Sequence, residues 1–271
     1  MKVAIQGQAG SYHDTAQRQF FADATIVPAM SFSGVFDAVT NDRAEYGLIA
    51  IENSLYGSIN RVYDLLLQHK PWVCGEVYLR IEHCLISKSK QDLKNITAVY
   101  SQHEALEQCR EFFREHMPTV QLVETNDTAG SVAMLKDLPP TAAAVASQAA
   151  ATLHNAHIIH KGIETNKQNY TRFIVFQKQK NYDLSGQNKT SVVIELPEKA
   201  GVLHEVLGLF AKAQINLSKI ESRPIVGKAW HYMFYLDFDA GVDEPTSRDV
   251  LAKLQTLTTK CIILGSYKNS R

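Results

Sequence analysis

The chain has 271 residues, 45% of them hydrophobic and 21% charged, with 28 Lys and Arg against 28 Asp and Glu. That length exceeds what one core usually serves and predicts two or three compact units. A formal net charge of zero lacks the basic excess of nucleic-acid or membrane-surface binders, so neither partner is expected. The opening "MKVAIQGQAG" breaks its apolar run at Gln6 and Gly7, too early for a signal peptide, and no stretch reaches bilayer-spanning length. A cytoplasmic protein follows as the expectation. Cys74, Cys84, Cys109 and Cys261 lie far apart without a C-x-x-C pair and read as reduced, mostly buried thiols. No His/Cys cluster has metal-ligand spacing, so no metal site is predicted.

In chain order, "KVAIQG" and "YGLIAIE" (46–52) read as strands, and Ile59, Val62, Tyr63, Leu66 and Leu67 follow at helical spacing. "TAVYS" (97–101), "TVQLVET" (119–125) and "AAAVAS" (142–147) are further strands, each followed by a helical pattern. This alternation predicts an α/β unit with a largely parallel sheet. The polar segment "KQKNYDLSGQNK" (178–189) is the linker candidate. Beyond it come strand "TSVVIEL", the helical stripe Val202, Leu203, Val206, Leu207 and Phe210, and strand "INLSKIES". In "WHYMFYLDF" the residues Trp230, Tyr232, Phe234, Leu236 and Phe238 alternate, predicting a strand with one buried face. Val250, Leu251, Leu254 and Leu257 mark a helix and "CIILGSY" a last strand, which completes the β-α-β-β-α-β order of the ferredoxin-like motif.

The first part repeats one device, in which a strand ends and a short polar run opens a helix. "GQAGSYHD" places Ser11 and Asp14 at capping-box spacing, and "ENSLYGSIN", "SQHEAL", "NDTAGS" and "SQAAA" follow later strands. Ser and Thr before helices usually serve as caps. Five such loops at the carboxyl ends of the strands, together with "QNYTRF" (168–173) ahead of the apolar "FIVF", favour a small anionic ligand. An Arg entering a buried strand is costly unless paired, which marks Arg172 for attention.

At this point the sequence resembles a known family. Thr171-Arg172-Phe173 with Asn169 ahead of it, "GQAGSYHDTA", "AIENSLYGSI" and "TNDTAG" are similar to the signatures of prephenate dehydratases. "GVLHEVLGLF" and "IESRP" (220–224) resemble the ACT regulatory domain that follows the catalytic part in that family. The likeness runs in family order from residue 2 to about residue 267. It departs at "SQHEALEQC", where Gln102, His103 and Glu104 stand in place of His, Pro and Gln, and at Ala50-Ile51 ahead of Glu52.

The resemblance implies a two-lobed catalytic domain of the type II periplasmic-binding-protein kind over residues 1–178, with lobe 1 about 1–75 plus 160–178 and lobe 2 about 76–159. A linker at 179–189 and a ferredoxin-like ACT domain at 190–271 complete the expected division. It implies dehydration with decarboxylation of prephenate to phenylpyruvate, without a cofactor, in a homodimer or tetramer inhibited by L-phenylalanine. The family's Thr donates to the leaving hydroxyl, a role that maps onto Thr171, in a relay with Ser101, Asn53 or a water. Arg172 holds either the side-chain carboxylate of the substrate or its own loop. Phe173 forms an apolar wall. Ser54 joins the catalytic set, and Ser11, Tyr12, Gly57, Asn169, Asp127, Thr128 and Ala129 are expected to bind substrate. Gly201, Val202, Leu203, Asn216, Leu217, Glu221, Ser222 and Arg223 are the expected phenylalanine site. His13 and His103 are lesser acid–base candidates. Two rival readings stand beside this one: arogenate as the substrate, its ammonium group suited by Gln102 and Glu104, and a ligand sensor without turnover.

Overall fold

A computed structural model describes residues 1–180, 186–225 and 227–270. Its elements begin β1 (Lys2–Gln6), α1 (Tyr12–Phe20), β2 (Thr25–Ala29), α2 (Phe32–Thr40), β3 (Tyr46–Asn53), β4 (Gly57–Ser58), α3 (Asn60–His69), β5 (Trp72–Arg80) and β6 (Cys84–Ser87). β7 (Ala98–Ser101), α4 (His103–Gln108), α5 (Arg110–His116), β8 (Gln121–Glu124), α6 (Thr128–Met134), β9 (Ala142–Ala146), α7 (Gln148–Leu153), β10 (His157–Lys161) and β11 (Tyr170–Gln177) follow. The last part holds β12 (Lys189–Glu195), α8 (Val202–Lys212), β13 (Leu217–Pro224), β14 (Tyr232–Phe238), α9 (Pro245–Leu257) and β15 (Lys260–Tyr267). Residues 181–185 of the expected linker lie outside the described residues. Among the described residues no helix is long and apolar enough to cross a membrane. All four cysteines are free, Cys84 and Cys109 buried and Cys74 and Cys261 half-buried.

The chain divides into two compact units, one of residues 1–59 and 77–173, the other of 60–76 and 174–271. The first unit contains two sheets, and the expected two-lobed α/β arrangement is what the structure has. One lobe is built on the order β5–β11–β3–β1–β2, with β1 parallel to both β2 and β3. Pro28 explains why the sequence pattern passed over β2: a proline is tolerated there because β2 is an edge strand. The second lobe has the order β10–β6–β9–β7–β8. Its central strand β9, "AAAVA", is buried along its whole length because helices cover both faces. Ala143 and Val145 join the core under α4 and α5, while Ala142, Ala144 and Ala146 join the core under α6 and α7.

Gly10 shows how closely the lobes approach. Its backbone has φ +82°, a region that favours glycine, and a Cβ there would stand 2.9 Å from the Ala150 Cα. The Ser147 hydroxyl donates to its carbonyl at 2.7 Å. Gly10→Ala is therefore expected to destabilise the unit by about 2 to 4 kcal/mol, through backbone strain and overpacking together. Urea unfolding tests this, and an unchanged midpoint would contradict it.

The second unit contains the βαββαβ order expected for 190–271, with the sheet order β13–β14–β12–β15. Val192, Ile194, Leu236 and Phe238 pack beneath Val206 and Phe210 of α8 and Val250, Leu251 and Leu254 of α9. The expectation of one buried face on β14 is corrected here. Trp230 and Tyr232 are exposed, whereas Met233, Tyr235 and Asp237 on the opposite face are buried. That face is covered: the Tyr235 ring lies 4.6 Å from that of Tyr63 in α3, and its hydroxyl donates to the Tyr63 carbonyl at 2.8 Å. Alternation reports a half-buried strand only when nothing packs on its outer face. Lys189 and Glu76, both buried, pair at 2.9 Å, so the Glu in the middle of β5 is neutralised in place.

Candidate active site

A cleft of about 530 Å³ opens in the first unit and is lined by residues of both lobes. That volume suits a small ligand. One side comes from the carboxyl ends of parallel strands β1 and β3: Gln6 ending β1 and Gly7 after it, then Asn53 and the turn to Gly57, Ser58 and Ile59. The facing side comes from the ends of β7 and β8, also parallel, through Gln102, Glu104, Asn126, Asp127 and Thr128. This convergence is the usual place for ligands in open α/β sheets.

Strand alternation decides what "TRF" does. Thr171 and Phe173 share the face of β11 that lines the cleft. Arg172 faces the other way, 5% exposed, with its guanidinium 4.0 Å from the Glu52 carboxylate. Of its two expected roles, this placement favours holding the protein over holding substrate. Phe173 is buried and meets His13 edge to face at 5.0 Å.

Asn53 organises the centre. Its Oδ1 accepts from the Leu55 and Tyr56 backbone N–H groups at 2.9 and 3.1 Å, which fixes which end of the amide is oxygen. Its Nδ2 therefore donates to Asn169 Oδ1 at 2.8 Å and to Thr171 Oγ1 at 3.0 Å. Asn169, fully buried, donates from Nδ2 to Gln108 Oε1 at 2.7 Å. Ser54 clasps the same turn to β11: its hydroxyl donates to the Gln168 carbonyl and accepts from the Tyr170 N–H, each at 2.9 Å. With Asn53 donating to it, Thr171 Oγ1 keeps its own proton for the cleft.

Other expected site residues fall in different places. Ser11, Tyr12, Gly57, Asp127 and Thr128 line the cleft. Ser11 and Asp127 also cap their helices, accepting from Asp14 N at 3.2 Å and from Gly130 N at 2.6 Å. Ser101 is fully buried and donates to the Val145 carbonyl at 2.6 Å, and Ala129 sits in the core under α6. Neither of these lines the cleft. "ENSLYGSIN" forms the short strand β4 before its helix begins, and Ser147 is occupied by Gly10 and Ala150. His103 is exposed and paired with Glu124 at 2.8 Å.

Residues that sequence reasoning passed over complete the site. His83, 2% exposed, has Nε2 2.6 Å from Gln108 Oε1 and Nδ1 2.8 Å from the Tyr12 hydroxyl. Gln108 follows Glu104 by four residues on α4, which places both on one helix face, a spacing that signals Gln108 in advance. Among the described residues lining the cleft there is no Lys or Arg. The same lining carries two carboxylates, those of Glu104 and Asp127.

His13 lines the cleft half-buried, and its Nε2 accepts from the Ala50 N–H at 3.3 Å. Burial lowers its pKa to about 4. The folded protein keeps this ring neutral while the unfolded chain protonates it near 6.5. Stability is therefore full above pH 6.5 and is lost as pH falls toward 4. The loss from this group is on the order of 2 kcal/mol, allowing for its partial exposure. Urea midpoints at pH 7 and 4.5 test this: His13→Asn should shrink the difference, and an unchanged difference would contradict the assignment.

Comparison with known proteins decides the family. The prephenate dehydratase family model matches residues 3–181 and the ACT domain model matches residues 190–255. The chain belongs to the prephenate dehydratase family. The bifunctional chorismate mutase/prephenate dehydratase of Pseudomonas aeruginosa is 34% identical over 268 residues, which span 98% of this chain and 73% of that protein. Arogenate dehydratase/prephenate dehydratase 2 of Arabidopsis thaliana is 35% identical over 280 residues, covering 98% and 72%. The crystal structure of prephenate dehydratase from Arthrobacter aurescens in complex with L-Phe superposes with a TM-score of 0.90 at 29% identity, over 100% of this chain and 90% of that one. As a prephenate dehydratase the chain is a carbon–oxygen lyase of phenylalanine biosynthesis.

Proposed function

We propose that the cleft between the two lobes is where prephenate loses water and carbon dioxide, with Thr171 as donor to the leaving oxygen. The observation that carries this reading is the Asn53–Thr171 hydrogen bond, which leaves the Thr171 proton for the cleft. In the reaction the bond from the ring to its carboxylate breaks and the electron pair enters the ring. The ring C–O bond breaks, and the departing hydroxide, hydrogen-bonded by Thr171, takes one proton from solution to become water. Aromatisation drives the step, so the protein orients the dianion and stabilises the leaving oxygen. Cations on the departing carboxylate stabilise the ground state and slow its loss. A cleft lined by Ser11, Asn53, Gln102 and Thr128 rather than by Lys or Arg suits that requirement. Phe173 and Ile81 supply apolar wall. Catalysis here belongs to residues 1–178 and regulation to 190–271, joined by the linker at 179–189, in a cytoplasmic homodimer or tetramer.

L-Phenylalanine as feedback inhibitor is supported by a second pocket of about 690 Å³ in the ACT part. Gly201, Val202 and Leu203 line it with Leu196, Tyr232 and Phe234, an apolar bed for an aromatic side chain. α8 begins at Gly201 without a side-chain cap, so its N–H groups suit a carboxylate. Asn216, Leu217, Glu221, Ser222 and Arg223 lie on or beside edge strand β13, outside this pocket. Asn216 donates to Asp239 at 2.7 Å, and Arg223 stands 3.5 Å from Asp64. The exposed Ile220 on β13 fits an edge that pairs with another subunit.

Arogenate remains a second reading because of Glu104, an exposed carboxylate in the cleft lining without a hydrogen-bond or ion-pair partner among the described residues. It suits the ammonium group that replaces the ketone of prephenate. If arogenate is used, Glu104→Gln is expected to lower kcat/KM for arogenate about tenfold and leave prephenate turnover unchanged or faster. Parallel assays on both substrates test this, and an unchanged ratio removes the second reading.

A further inference from the structure

The hydrogens of the buried network run in one direction, and the direction is set at the Asn53 end. At one end the Leu55 and Tyr56 N–H groups fix the Asn53 amide, so Asn169 must accept through Oδ1 and donate through Nδ2 to Gln108 Oε1. That oxygen also lies 2.6 Å from His83 Nε2, so Nε2 carries a hydrogen. At the other end the Tyr12 hydroxyl lies 2.8 Å from His83 Nδ1 and 2.9 Å from the Glu82 carbonyl. Burial lowers the His83 pKa against the opposing effects of Gln108 and Glu164, and burial raises that of Tyr12, whose further neighbours are Cys84, Cys109, Glu164 and Glu82. The single Tyr12 proton serves the Glu82 carbonyl or Nδ1, and the hydrogen on Nε2 is fixed by Gln108 Oε1 alone.

We infer that His83 is a positioning residue for the dehydration: its Nε2–H holds the Gln108 amide and, through Asn169 and Asn53, aims the Thr171 hydroxyl at the leaving oxygen. The inference rests on the reading of Thr171 as the donor. Without the Nε2–H, Gln108 is free to turn its NH₂ toward Asn169. Asn169 then turns its own NH₂ toward Asn53, and two donors face each other beside Thr171. The substrate still finds its cleft, but the donor is misplaced, and misplacements of this size cost up to about 100-fold in rate.

Two substitutions separate positioning from bulk. The Gln side chain reaches the place of Nε2 and presents an N–H there, whereas Asn reaches only the place of Nδ1. His83→Asn is expected to lower kcat for prephenate about 10- to 100-fold with KM within about twofold, and His83→Gln to restore kcat to within about threefold of wild type. Equal losses in the two variants, or a change confined to KM, would overturn the proposal. The wild type gives an independent readout even if a variant fails to fold. Nitrogen-15 NMR of the labelled imidazole should show Nε2 protonated at neutral pH. An Nε2 without a proton overturns the proposal whatever the kinetics. A wild type with the expected tautomer but no turnover of prephenate would instead sink the dehydratase reading on which the inference rests.

Discussion

Replacing Thr171 with Ala is expected to lower kcat for prephenate by about 10²- to 10³-fold while KM changes by less than about threefold. The reason is geometric. Thr171 sits on the cleft face of β11, 8% exposed, and receives a hydrogen bond from Asn53 at 3.0 Å. In the proposed reaction its hydroxyl is therefore the donor toward the substrate. A donor aimed at an oxygen that gains charge acts mainly in the transition state, so its removal falls on kcat. Thr171→Ser keeps the hydroxyl and should retain most of the rate. Thr171→Val keeps the shape and should behave like Ala. Steady-state kinetics on the three variants check the assignment, and a Val variant as fast as Ser would remove Thr171 from the chemistry.

Asn53→Asp is expected to be at least as damaging, with a loss of 10²-fold or more in kcat. The substituted carboxylate still accepts from the Leu55 and Tyr56 N–H groups, so the turn before Gly57 is preserved. What changes is the other end, where two donated hydrogens become an acceptor facing Asn169 Oδ1 and Thr171 Oγ1. Thr171 then turns its proton toward the carboxylate and loses it for the substrate. The added negative charge also opposes the dianion of the proposed reaction, in a cleft without Lys or Arg among its described lining residues. A folded Asn53→Asp protein with near-normal kcat would show that the Asn53–Thr171 bond has no part in turnover.

Much of this architecture is legible in the sequence because the strongest signals are local. The apolar stripes of α8 and α9 and the polar turns between the strands predict the βαββαβ order. β2 and β5 are not legible, since Pro28 and Glu76 break their patterns, and the reasons are an edge position and a buried partner 113 residues away. The site divides the same way. Asn53, Thr171 and Phe173 follow from a motif, and strand alternation alone separates Arg172 from its neighbours. Ser101 and Ala129 look functional in their loops but are absorbed by the core of the second lobe. The His83–Gln108–Asn169 network joins segments 25 and 61 residues apart. No local pattern announces a hydrogen bond of that span.

Phenylpyruvate formation from prephenate by the purified wild-type protein, with and without L-phenylalanine, tests the central claim most directly. Turnover without added metal or cofactor that falls as phenylalanine is added is the expected result. A folded protein that leaves prephenate unchanged at every phenylalanine concentration would contradict the account and favour a binding role for the cleft.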